Sequence, residues 1–280
     1  MSATTAAATL PARRARRPAR LAPLRTLAAR RFALTAATPR ELVVPLLTPV
    51  LFALVIAPAL KRALHTDASY ESFVAVGTMG LLIPLNTMFS GLGVIVDRET
   101  GARRELLAAP IARPLLVLGN LLVALATTAL QVGVLLGFAA ARRIHFDITA
   151  TGALWFVAAA ALLAVAMYGV AEILASRVHR TEEYVGRVPA IAILPWFLAG
   201  SLFPITAMPL GLTWVARFLP LTHALALMRY GLLGDPAGLH AIWRLGNPTA
   251  SAALSLAVVA AFAAVLTAIS IRVFTRAAVR

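Results

Sequence analysis

Six stretches of about 20 residues each, near 42–60, 73–96, 114–140, 151–175, 188–205 and 249–271, carry at most one charged side chain apiece. About 20 apolar residues suffice to cross the hydrocarbon core of a bilayer, so each stretch is long enough to span one. Lipid offers no partner for free backbone polar groups, and the alternating pattern of barrel strands is absent, so the spans are expected to be α-helices. The chain is 60% hydrophobic and 13% charged over 280 residues, which fits a polytopic membrane protein. The net charge of +15 invites a nucleic-acid reading, but a basic and very apolar chain more often owes its charge to membrane topology, and no nucleic-acid partner is expected. With no cysteine, disulfides and thiol catalysis are excluded.

Arginines enrich cytoplasmic loops. Placing both termini in the cytosol puts 19 of the 26 basic residues there and leaves Lys61, Arg62, Arg142, Arg143, Arg217, Arg229 and Arg244 outside. The expected location is the cytoplasmic membrane of a bacterium, crossed several times. Residues 1–19 read as a basic, disordered cytosolic arm facing an anionic inner leaflet. Residues 20–41, RLAPLRTLAARRFALTAATPRE, interleave Leu21, Leu24, Leu27 and Phe32 with Arg20, Arg25, Arg30 and Arg31, as an amphipathic helix lying in the membrane interface would. Residues 42–280 form the transmembrane domain. Within it, 205–235 holds two short apolar pieces separated by prolines, each too short to span, which are expected to dip into the outer face and return.

Several chemistries are missing. The chain has no GxxxxGK[ST] phosphate loop, and GLGVIV at 91–96 lacks the third glycine of a dinucleotide site. The five histidines are scattered without metal-ligand spacing, so neither a metal nor a catalytic residue is expected. Glu172 is the one carboxylate inside a span, about one turn from its cytosolic end, and is expected to snorkel outward or meet Arg177. Asn86 and Ser90 in the second span, with Thr127, Thr128 and Gln131 in the third, read as helix-to-helix hydrogen bonding or as the lining of a substrate route.

The cytosolic stretch VDRETGARRELLAAP, residues 96–110, is ordered as a helix over 97–109. Asp97 and Glu99 sit near its positive end, Glu99 pairs with Arg103 at i,i+4, and Pro110 stops it. Leu106 and Leu107 are left for a hydrophobic contact, and the form suits docking to a cytosolic partner.

These residues resemble the transmembrane subunits of ABC-2 type exporters. Asp97, Arg98, Glu99, Gly101, Leu106, Leu107 and Pro110 match that family's DRE-x-G…L-L-x-x-P run. LAGSLFPITAMPLGLTWVARFLPLTHALALMR matches its outer signature through Phe203, Pro204, Met208, Pro209, Pro220, Leu221, Thr222 and Arg229, with His223 where the family more often has Tyr. TPRELVVPLLTPVLFALV fits the first helix. The resemblance is nearest to the daunorubicin-resistance permeases and actinobacterial lipid exporters. It implies six spans, an interface helix before the first, a cytosolic coupling helix between the second and third, and two re-entrant outer helices before the last. It also implies a second permease subunit, identical or a sister, and separate ATP-binding subunits that hold ATP and magnesium, with Glu99, Arg103, Arg104 and Glu105 as polar contacts. The cargo would be a drug, polyketide or lipid. Three rivals compete on the residues alone. They are a proton-coupled carrier using Glu172, a transferase for lipid-linked substrates using Arg217 to Arg244 with His223, and a scaffold that anchors an ATPase.

Overall fold

A computed structural model describes residues 22–38 and 68–277, with scattered positions between 43 and 59. The expected basic arm, the first span and the last three residues therefore lie wholly or largely outside the described residues. All regular structure among the described residues is helical.

The helices run in the order α1 (Ala22–Ala36), α2 (Ala68–Ser90), α3 (Leu92–Glu99), α4 (Ala102–Ala108), α5 (Pro114–Ala141), α6 (Ala150–Arg177) and α7 (Thr181–Leu198). A 3-10 turn (Ile205–Ala207) then leads to α8 (Leu210–Phe218), α9 (Pro220–Leu233), α10 (Ala237–Trp243) and α11 (Pro248–Ala277). Four of these are long and apolar enough to cross a membrane: α2 with α3, α5, α6 and α11. Counting α8 and α9 together makes a fifth, but the pair is bent by 82°. Where the fifth span was expected at 188–205, α7 begins earlier, carries Glu182 and Glu183 in its first turn, and holds Pro189 and Pro195.

Helix α6 lies at the centre, against α2, α9 and α11. Small residues allow the backbones to approach closely where helices cross, and there dispersion contacts replace the hydrophobic effect that lipid does not supply. Where α9 crosses α6, a Cβ at Gly231 would stand 2.5 Å from the Gly152 carbonyl oxygen and 2.9 Å from the Phe156 nitrogen. A Cβ at Gly169 would stand 2.9 Å from the Leu266 backbone of α11. The second span is mostly interior, whereas α11 is mostly exposed and turns Leu254, Phe262, Val265 and Ile269 outward. Exposed apolar area on such a scale marks a surface made for lipid or for other helices.

The two ends of the bundle differ in chemistry. One end gathers α1, α3, α4 and the termini of α6 and α11. The far end holds the turn before α8, then α9 and α10. At the far end Arg229 is not the outer-loop charge expected from the sequence. It is buried, donates to the carbonyls of Gly200 (2.8 Å) and Ser201 (3.0 Å), and lays its guanidinium 3.4 Å from the centre of the Phe73 ring. Its arginine fork ties the turn after α7 to the start of α2.

Because the α6–α9 crossing meets backbone rather than flexible side chain, Gly231→Leu is expected to destabilise the fold by at least about 2 kcal/mol. Gly133→Leu on α5, where no described residue stands within 4 Å, is expected to leave the midpoint of thermal unfolding unchanged. Equal midpoints for the two variants would contradict this packing.

Candidate functional site: the turn between the second and third spans

The charged stretch 97–109 is two helices rather than one. Helix α3 continues the second span to Glu99, and α4 starts at Ala102. Between them Gly101 takes a left-handed conformation with φ of 79°, and its N–H bonds to the Arg98 carbonyl at 3.2 Å. Thr100 seals the same end, donating its N–H (2.9 Å) and its hydroxyl (2.8 Å) to the Val96 carbonyl. A glycine just past a helix end is the usual stop signal, since only it enters that region freely. The second helix ends at Ala109, extended before Pro110, as the ring of a following proline requires.

The break divides the expected coupling residues into two groups. Asp97 faces inward, pairing with Arg30 at 3.0 Å and Arg31 at 3.6 Å from α1. Arg31 reaches it across Gly93, where a Cβ would fall on the guanidinium itself. Arg98 donates to the carbonyls of Ala175, Val178 and His179, and so caps the end of α6. Arg103 lies over the Phe274 ring of α11 at 4.9 Å. Burial pulls its guanidinium below the ordinary arginine range, and the Glu172 carboxylate acts in the opposite direction. Leu106 and Leu107 pack against Leu116, Val117, Tyr168 and Phe274, so their apolar contact is made within the chain. Only Glu99, Arg104 and Glu105 of the group stay exposed, together with Thr100, Ala108 and Pro110. No Glu99–Arg103 pair forms among the described residues; instead Glu99 accepts from the Thr181 hydroxyl at 3.3 Å.

Glu172 departs from the snorkelling expectation. It is fully buried, accepts from the Tyr168 hydroxyl at 2.8 Å, and feels the charges of Arg103 and Arg31. Burying a lone carboxylate is costly, and nearby guanidiniums are what offset it. Beside it Tyr184 of α7 donates to the Met88 carbonyl of α2. Tyr168 and Gly93 had no signal in the sequence beyond their places in apolar runs, and Tyr184, in the charged stretch RTEEYVGR, had none at all.

The expected route residues sit in the contact between α2 and α5. The Asn86 amide donates to the Thr128 hydroxyl at 2.5 Å, and Ser90 donates to the Asn86 carbonyl at 3.0 Å. Thr127 and Thr128 also bond back one turn within α5, and Gln131 is buried beside them. The adjoining crevice, bordered by Arg31, Asn120 and Thr127, measures about 20 Å³, room for a water and not for a drug-sized molecule. Of the outer motif, Pro204 opens the 3-10 turn, Pro209 precedes α8, and Pro220 is the first residue of α9. Thr222 is buried and Phe203 is exposed.

Apolar spanning helices, with a charged turn bolted to their ends, define an integral membrane protein. Residues 23–233 match the family described as ABC-2 type transporter, and the chain belongs to that family. Its members are transmembrane domains of ABC transporters, generally non-catalytic, which normally work with a separate ATP-binding subunit. No curated protein matches the sequence.

Loss of either the Asp97 charge or the space at Gly93 breaks the same buried contact. Asp97→Asn and Gly93→Val are therefore each expected to cost about 3 kcal/mol, and the double variant little more than one of them. Additive losses in denaturation of the purified protein would show that Arg31 and Asp97 do not form one unit.

Proposed function

We propose that the chain is the permease subunit of an exporter that moves a hydrophobic or amphipathic molecule outward, and that its turn at Gly101 is where the ATP-binding subunit docks. One observation carries this reading. The turn exposes Glu99, Arg104 and Glu105 while Asp97, Arg98 and Arg103 fasten it to α1, α6 and α11. A push on the exposed side chains therefore reaches three helices without being lost in a loose loop. ATP and magnesium reside in the partner, as does hydrolysis. Two permease subunits, identical or paired, complete the transporter, and closing of the ATPases on ATP switches the spans between two arrangements. The likeness to daunorubicin-resistance and lipid-export permeases supports a drug, polyketide or lipid cargo and a bacterial cytoplasmic membrane with both chain termini inside.

Retention of the ATP-binding subunit on the tagged permease tests the docking. Arg104→Glu with Glu105→Arg is expected to lose at least about tenfold in retained ATPase, the cost of misplacing two exposed charges at an interface, with membrane levels unchanged. Full retention would remove the turn from the interface.

A proton-coupled carrier is the second reading, since Glu172 is buried and one of its oxygens has no hydrogen-bond partner among the described residues. Its place beside Arg103 and Arg31 suits a fastening role instead. Glu172→Gln is expected to lower stability while leaving transport independent of the proton gradient. Gradient-driven transport by the wild type, abolished in Glu172→Gln, would favour the carrier.

A further inference from the structure

At the far end of the bundle a cavity of about 520 Å³ opens between α8, the end of α10 and the outer face of α11. That size is typical of small-molecule sites. Its charged lining has one sign among the described residues, because Arg217 and Arg244 border it and no acidic side chain does. Asp235 is the one acidic residue in the sequence after Glu183, and Glu71 and Asp147, which lie at the same end of the bundle, are not among the described residues that border the cavity.

Neither guanidinium has an ion-pair partner among the described residues. Arg217 stacks over the Trp214 ring at 5.1 Å, yet its Nε is enclosed and has no hydrogen-bond partner among the described residues. Arg244 is exposed and forms no ion pair among the described residues. Its backbone holds φ of 57°, a left-handed conformation that favours glycine or asparagine, and its N–H closes α10 on the His240 carbonyl at 2.8 Å. An exposed arginine in that position, beside an apolar cavity, is free to pair with an anion from outside the chain.

The walls are apolar and firmly held. The His223 ring contacts the Arg217 carbonyl at 2.9 Å and the Ser255 hydroxyl at 3.2 Å, and Trp243 donates to that hydroxyl at 2.8 Å. Trp214, Phe218 and Phe262 are exposed around the opening. Val258 and Phe262 lie on the stripe of α11 that continues to exposed Val265, at spacings of four and three residues. The cavity is thus continuous with a surface of a spanning helix suited to hydrocarbon.

We infer that this cavity binds an amphiphile with a net-anionic, phosphate-type head, the head held at Arg217 and Arg244 and the hydrocarbon lying along Trp214, Phe218 and α11. A soluble anion would leave the aromatic walls unused, and a neutral lipid would leave both arginines without a counter-charge. The inference goes beyond the export reading and does not need it, because binding is read without an ATPase.

The probe is phosphatidylglycerol with brominated acyl chains, present as a minor component in phosphatidylcholine nanodiscs holding the full-length purified chain. Bromine quenches nearby tryptophan, and Trp214 and Trp243 line the cavity. Brominated phosphatidylglycerol is expected to quench more than brominated phosphatidylcholine at equal content. The preference is expected to weaken roughly fivefold for each of Arg217→Gln and Arg244→Gln. Arg142→Gln with Arg143→Gln removes two charges from the loop after α5, twice what either cavity variant removes, and is expected to change nothing, which separates a site from general surface attraction. Trp214→Phe with Trp243→Phe is expected to remove the excess quenching. Equal quenching by the two lipids, or a preference that survives both cavity variants, would overturn the assignment. So would protection of both tryptophans by a second copy of the chain. A change of tryptophan emission on adding inorganic phosphate, with no excess quenching by brominated phosphatidylglycerol, would show that the ligand is a free anion, and the amphiphile assignment would then be wrong.

Discussion

The ion pair between Arg31 and Asp97 is the contact that ties the charged turn to the rest of the fold. Their side chains are about nine-tenths buried, and Arg30 shares the carboxylate from a more exposed position, so removing Asp97 leaves the buried Arg31 guanidinium without its ion-pair partner. Gly93 makes the contact physically possible, since any side chain there occupies the space of the guanidinium. The pair fixes α1 against the end of the second span. Arg98 then fixes that same end to α6, and Arg103 brings α4 under α11. A short turn that would otherwise be an ordinary loop becomes part of the bundle, with only its outward side chains free to meet a partner.

The far end reaches rigidity by other means. Prolines open the short segments there, and Arg229 gathers the carbonyls of the preceding turn. The backbone contact of Gly152 with Gly231 locks α9 onto α6. The two family-like stretches therefore gain a physical meaning. Gly101 in the first is a helix stop. Arg229 in the second is the clamp that holds Gly200 and Ser201, some 28 residues upstream. Between these two fixed ends the polar contacts of Asn86 with Thr128 join α2 to α5 at mid-length.

Helical class and the longest spans were legible in the sequence because they depend on runs of apolar residues, which no tertiary contact can disguise. The family was legible through the two charged and proline-rich stretches. The break at Gly101 was also legible in principle: a glycine after Thr100 at the end of an apolar helix is a stop signal, outweighed by the helical order of the charges around it. The burial of Glu172 was not legible. Its neighbours in sequence gave no hint that Arg31 and Arg103, well over 60 residues away, would lie near enough to support it. Arg229 was misplaced for a similar reason, since counting arginines by loop treats every one as solvated, whereas this one bonds to backbone carbonyls. Leu106 and Leu107 looked available for a partner because the cluster they pack against draws Tyr168 and Phe274 from distant helices.

The docking claim is tested most directly by photo-crosslinking in membranes of the native host, with the crosslinking residue placed singly at Glu105 and, for comparison, at Gly211 on the exposed side of α8. The expected result is an adduct from position 105 alone whose second component carries the phosphate loop of an ATP-binding subunit, and whose yield changes when ATP is added. No such adduct from position 105, or the same adduct from position 211, would contradict the assignment of the turn as the point where ATP-driven force enters the membrane domain.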